Sequence, residues 1–266
     1  MALSLSQTAY LASILRPGMR VASFGYPDII APPEGIERMV GDKLSSLVHR
    51  ADSKEICRRH GLKERPIPDA QSLFSLLDCK LDVYDIVAER GCELLCDLNE
   101  PFAPDETGTK MVGRNEISWA TPKRYDIVLD VGTAEHCFNI GQALMNMAAM
   151  AKAGGYIIHE NPFCSGNHGF YGLNPTLFHD FYTQNGFEIL ECMLVTRDGR
   201  KADVPRDTRF RFVGEESNVF AVARRVEIRP FVYPVQSKYA HLIPDAGVVR
   251  AKRDADASGD RSNAHG

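Results

Sequence analysis

Short apolar runs recur along this chain, and stretches of helical spacing separate them. RVASF (Arg20–Phe24) comes first, then a weaker run at Lys80 to Val83, then CELLC (Cys92–Cys96). YDIVLD (Tyr125–Asp130) is the clearest, followed by YIIH (Tyr156–His159), FEILECMLV (Phe187–Val195) and NVFAVARRV (Asn218–Val226). Between them, Ile36, Met39, Val40, Leu44 and Leu47 mark a helix over Glu34–Val48. Ala70 to Leu77 reads as helical or mixed. Ile140, Leu144, Met147 and Ala151 mark a further helix, with Gly154-Gly155 closing it, and Thr176–Gln184 marks another. Such alternation builds a mainly parallel α/β sheet. The last two strands have no evident helix between them, which predicts an antiparallel strand at the sheet's end.

The remaining segments fix the expected organisation. Leu3 to Leu15 reads as a short helix stopped before Pro17-Gly18, within an N-terminal extension over residues 1–19. The α/β domain is expected over residues 20–228, a C-terminal extension over 229–250, and a polar, disordered tail over 251–266. Residues 49–67 and 101–123 read as loops. FVYPVQSKY (Phe231–Tyr239) either packs back on the domain or docks a second subunit, and a homodimer is one outcome.

Composition excludes several function classes. A net charge of -4 gives no electrostatic footprint for nucleic acid and no polybasic membrane patch. No apolar run reaches the roughly 20 residues of a membrane span, and the N-terminus lacks the pattern of a secretion signal. The 7 cysteines are scattered and odd in number, as for reduced thiols in a cytoplasmic protein. There is no GxSxG elbow and no GxxxxGK[ST] loop.

A parallel sheet gathers its strand ends on one edge, where ligands bind. Those ends carry polar groups: Gly25 to Asp28, Asp82, Asp97, Asp130 to His136, and His159 to Asn161. An acid after the second strand can accept hydrogen bonds from both hydroxyls of a ribose. An acid after the third can accept from an exocyclic amine. Asp and Asn also end strands for turn reasons alone.

The runs YDIVLDVGTAEHCFN, AKAGGYIIHENPF, NHGFYGLNPTLFHDFYTQNGF and CELLCDLNEP resemble class I S-adenosylmethionine-dependent methyltransferases, more specifically bacterial methyltransferase-like proteins associated with surface-polysaccharide biosynthesis. The resemblance covers roughly Val21 to Val226. It implies a Rossmann-like three-layer sandwich with a mostly parallel seven-stranded sheet, its last strand antiparallel. It also implies S-adenosylmethionine as cofactor, held by Gly25, Asp82, Asp97, Leu98, Asp130 and Gly132. The first strand departs from the family pattern: ASFGYPDII has a single glycine where a GxGxG loop is usual.

Methyl transfer to a hydroxyl needs a base near neutral pKa. His136 and His159 both qualify, with Glu135 beside the first, and the sequence leaves the choice open. Equally, Glu135 and His136 suit the start of a helix, where a negative charge is favoured. His168, Tyr171 and Asn174 are the candidates for lining a site for a small-molecule or sugar acceptor. No HxxxH or HxH spacing occurs, so no metal is assigned, and no motif surrounds Cys137 or Cys164 as nucleophile. The rival readings are a binding subunit that has lost catalysis, favoured by the missing glycines, and a metal-assisted hydrolase or lyase on the same fold.

Overall fold

The computed structural model describes residues 2–102, 108–112, 115–119, 124–196, 199–205 and 216–242. The proposed tail 251–266 and the end of the C-terminal extension lie outside them.

The chain runs β1 (Ala2–Leu3), α1 (Leu5–Ile14), β2 (Arg20–Phe24), β3 (Asp28–Ile29), α2 (Pro33–Val40), α3 (Ser53–Arg59), α4 (Ala70–Leu76), β4 (Lys80–Asp85) and β5 (Glu93–Leu95). It continues through β6 (Gly108–Val112), β7 (Asn115–Trp119), β8 (Tyr125–Asp130), α5 (Ile140–Met150), β9 (Ala151–Cys164), α6 (Pro175–Gln184), β10 (Phe187–Thr196), β11 (Lys201–Asp203) and β12 (Ser217–Arg225). The main sheet has 8 strands in the order β11-β10-β12-β9-β8-β2-β4-β5. β5, β4, β2, β8 and β9 pair in parallel, while β12 runs antiparallel to both β9 and β10.

This is the Rossmann-like three-layer architecture, with corrections of detail. The short edge strand β11 makes the count eight rather than seven. The antiparallel strand β12 is the last strand among the described residues but not at the sheet's end: it fills the space between β9 and β10. Its almost continuous burial is that of an interior strand, whereas β11 alternates exposed and half-buried residues as an edge does.

Alternation sorts the strand residues onto two faces. Val21, Ile127, Leu129 and Val222 face a layer that includes Leu11 of α1, Ile36 of α2 and Phe74 of α4. Ala22, Val128, Ala221 and Ala223 face Leu144 and Met147 of α5 and Phe178 and Phe181 of α6. α1 starts in a capping box, with Ser4 and Gln7 bonding each other's backbone.

Several loops prove structured. The helix expected over Glu34–Val48 ends at Val40, because Gly41 adopts φ 54° and a 3-10 turn follows. Residues 49–67 contain α3, whose Ile56 and Cys57 pack with Ile67 in a small core of their own. Nearby, Asp28 is buried against Arg50 (3.2 Å) and His60 (3.2 Å), an ion cluster that closes the long β2–β4 connection. Residues 101–123 contain the antiparallel hairpin β6–β7. Gly154 and Gly155 fall inside the start of β9 rather than at a helix end. They accompany a register shift opposite Tyr125, where a Cβ on Gly155 would stand 3.0 Å from the Tyr125 carbonyl oxygen.

The C-terminal extension packs back on α6. Asn185 brackets Val232, accepting its N–H at 2.8 Å and donating to its carbonyl at 3.0 Å. Gln184 treats Val235 alike, at 2.9 and 2.7 Å, and Phe231 stacks on Phe181 at 5.5 Å. No helix among the described residues is long and apolar enough to cross a membrane.

Candidate active site

A cavity of about 340 Å³ opens at the C-terminal ends of β2, β4, β5 and β8. Phe24 and Gly25 contribute from the first of these strands, Tyr84 and Asp85 from the second, Cys96 to Asn99 from the third, and Gly132, Thr133, His136 and Cys137 from the fourth. Its size is within the range of small-molecule sites. The sheet order predicts a crevice here, since β2 and β8 lead away to opposite halves of the sheet.

The expected positions divide between those that line it and those that do not. Gly25, Asp97, Leu98, Gly132 and His136 do; Asp82 does not. β4 runs to Asp85, so Asp82 sits mid-strand, and its carboxylate accepts from Arg20 (2.7 Å) and Tyr125 Oη (2.9 Å). Since Tyr125 donates to Asp82, the 2.8 Å contact between the two tyrosines has Tyr84 donating to Tyr125. Asp82 therefore braces Tyr84 in the cavity wall from beneath.

The strand-end acid is Asp85. Its Oδ1 accepts from the N–H of Ile86 (2.7 Å) and Val87 (3.3 Å), which folds the turn and leaves Oδ2 outside those bonds. Burial raises its pKa above the usual carboxylate value. Asp97 is arranged likewise: Oδ1 accepts from Asn99 N (2.9 Å) and Nδ2 (2.8 Å). The signal for Asp85 was present in the sequence. The run LDVYD continues apolar past Asp82, so Asp82 belongs inside the strand.

Asp130 is the hub of the β8 turn and is fully buried. Its Oδ1 accepts from the N–H of Thr133 and of Ala134, both at 3.1 Å. Its Oδ2 pairs with His159 Nδ1 at 2.7 Å and accepts from Asn161 Nδ2 at 3.0 Å. With Gly132 at φ 86°, these bonds fold the chain sharply, and Thr133 Oγ1 ties the turn to the Phe24 carbonyl at 2.7 Å. Asp130 thus shapes the cavity rather than lining it.

His159 is likewise inside. Nε2 contacts Tyr182 Oη at 2.6 Å, the ring packs on Phe178, and no part of it is exposed. Both nitrogens are engaged, so the geometry puts His159 behind the cavity and leaves His136 as the histidine that reaches it. Burial, then the neighbouring His168, lower the His136 pKa, so its imidazole is neutral and able to accept a proton near neutral pH.

Glu135 is fully buried beneath His136. Oε2 accepts from Asn161 Nδ2 at 3.0 Å, and Oε1 has no hydrogen-bond partner. Burial first, then the charge of Asp130, push its pKa above the usual carboxylate range. His168 is brought over it by the loop after β9. There Phe170 N donates to the Glu135 carbonyl at 2.9 Å, and Gly169 passes so close that a Cβ would stand 2.8 Å from that oxygen. Tyr171 fixes the same loop by donating to the Phe138 carbonyl at 2.9 Å. Asn174 lies elsewhere: it caps α6, accepting from Thr176 N at 3.0 Å, and borders a separate hollow of about 310 Å³ with Asp180 and Lys238.

No protein-family model matches the chain, and no curated protein sequence does. Solved structures do align with it. TehB from Haemophilus influenzae is 12% identical with a TM-score of 0.37, over 83% of this chain and 62% of that one. The O-methyltransferase of a trans-AT PKS multienzyme of Brevibacillus brevis, in complex with S-adenosyl-L-homocysteine, is 10% identical with a TM-score of 0.38, over 72% and 53%. The [4+2]-cyclase SpnF is 11% identical with a TM-score of 0.38, over 83% and 80%. The chain thus spans less than two thirds of the first two structures. The fold rests on the strand order above.

Proposed function

We propose that the chain binds S-adenosylmethionine in the strand-end cavity and transfers its methyl group to a hydroxyl of a small molecule or sugar. One observation carries this reading: the cavity is walled at once by two acids in series, Asp85 and Asp97, and by the two left-handed glycines Gly25 (φ 78°) and Gly132 (φ 86°). Asp85 Oδ2 would accept from the ribose hydroxyls, and Asp97 Oδ2 from the exocyclic amine. The glycines leave backbone close to the methionine part with no Cβ in the way. The fit needs only one glycine after β2, because the second close approach comes from β8.

The bound cofactor supplies a sulfonium methyl, already a good electrophile. The protein's part is alignment, exclusion of water and removal of the acceptor's proton. His136, neutral and in the cavity wall, is the base. Phe138 follows the cavity-lining Cys137 in the chain and meets Phe170 edge to face at 5.5 Å, the two being 71% and 63% exposed. Large aromatic surface left open beside a cavity marks a contact site, and it suits the apolar face of a sugar ring.

The test is incubation with methyl-labelled S-adenosylmethionine and a panel of glycosides and nucleotide sugars. The reading expects label on a hydroxyl and an equal yield of S-adenosylhomocysteine, with His136→Ala reducing the rate roughly 100-fold or more. Tight cofactor binding with no transfer to any hydroxyl acceptor would instead favour a binding subunit without catalysis.

A further inference from the structure

We propose that Glu135, His136 and His168 form a binding site for a divalent first-row transition ion. One donor atom from each of the three lies within 4.8 Å of the others. His168 Nε2 is 3.4 Å and His136 Nε2 3.8 Å from Glu135 Oε1. Donors sharing one tetrahedral ion at about 2.1 Å stand roughly 3.4 Å apart, so little movement would close the set.

An independent observation points the same way. Glu135 Oε1 has no exposure and no hydrogen-bond partner, although two imidazole nitrogens lie within 4 Å of it. Buried carboxylate oxygens are almost always satisfied. An ion at this point satisfies it, and both histidines then act as neutral ligands. The surroundings are those of a prepared site. Asn161 holds the other Glu135 oxygen, as outer groups orient metal-bound carboxylates. Gly169 has no Cβ to block the approach of the loop that delivers His168.

Two imidazoles and one carboxylate suit zinc, cobalt, iron or nickel rather than magnesium or calcium, which prefer oxygen. Three protein ligands leave positions open for an outside oxygen donor. Because His136 also walls the cavity, that donor would be the acceptor hydroxyl; with the ion bound His136 is a ligand rather than the base, and the hydroxyl, acidified by the ion, gives its proton to solvent. This last step rests on the methyl-transfer reading, whereas ion binding rests on the three residues alone.

The experiment is titration of the metal-stripped full chain with Co²⁺, followed by its visible absorption and displaced by Zn²⁺. The expected result is one Co²⁺ per chain with an absorbing, low-symmetry spectrum. Glu135→Gln and His168→Ala should each weaken binding by more than roughly tenfold, and Gly169→Val by a similar factor. Circular dichroism confirms the fold of each variant. If Co²⁺ fails to bind stoichiometrically, or binds equally to folded Glu135→Gln and His168→Ala chains, the site does not exist. Neither result depends on S-adenosylmethionine, so loss of the cofactor reading leaves ion binding independently tested.

Discussion

His159 Nδ1 lies 2.7 Å from Asp130 Oδ2, and neither side chain is exposed. The pair joins β9 to β8 beneath the cavity. Asp130 also holds the turn that carries Gly132, Glu135 and His136, so one buried carboxylate fixes the positions of all three.

Asp130→Ala should therefore destabilise the fold severely. It removes the partner of His159 Nδ1, of one Asn161 amide N–H and of two backbone N–H groups. Loss of one partner in such a network costs about 3–5 kcal/mol. Denaturant unfolding should show that fall in midpoint at unchanged slope. A loss below about 1 kcal/mol would mean that the turn does not depend on Asp130.

If Asp85 holds the ribose as proposed, cofactor affinity should depend on pH. Its pKa is raised by burial, so the folded chain takes up its proton at a higher pH than an ordinary Asp. A protonated carboxyl accepts hydroxyl hydrogen bonds poorly. Affinity for S-adenosylhomocysteine should be full above the raised pKa and fall as pH drops through it, before the usual aspartate range is reached. In Asp85→Asn affinity should be weaker and lack this component. For stability the sign is opposite: the raised pKa means that acidification through it relieves a cost of folding.

Gly132 sits at φ 86°, where an L side chain is strained. Gly132→Ala should cost about 1–2 kcal/mol in stability and weaken cofactor binding as the turn shifts. Thermal melting with and without S-adenosylhomocysteine reads both. An unchanged melting temperature and an unchanged ligand shift would count against the proposed role.

Asn185→Ala should free the C-terminal strap. Asn185 satisfies both backbone groups of Val232 and the Phe181 carbonyl at 2.8 Å. Their loss should cost about 1–3 kcal/mol. Hydrogen exchange at Val232 and Val235 should quicken in the variant while exchange in β8 and β9 keeps its order.

The sequence read some elements to the residue and missed others for identifiable reasons. Tyr125–Asp130 and Arg20–Phe24 are central parallel strands, buried on both faces, so a continuous apolar run marks them. Asp82 misled because an acid inside a strand looks like an acid at its end until the next apolar residues are counted. His159 misled because burial, not residue type, decides whether a histidine is a base. The partnership of Glu135 with His168 spans 33 positions, a separation no local pattern encodes. Its one trace was Gly169, the small residue in NHGFYG that lets the loop fold down.

If the proposed function is right, the strand-end cavity holds S-adenosylmethionine. Calorimetric titration of the purified chain with S-adenosylhomocysteine tests it most directly. One saturable site of micromolar affinity is expected, lost or strongly weakened in Asp85→Asn and Asp97→Asn chains that keep their near-ultraviolet circular dichroism. Absence of heat and of any thermal shift at millimolar ligand would contradict it.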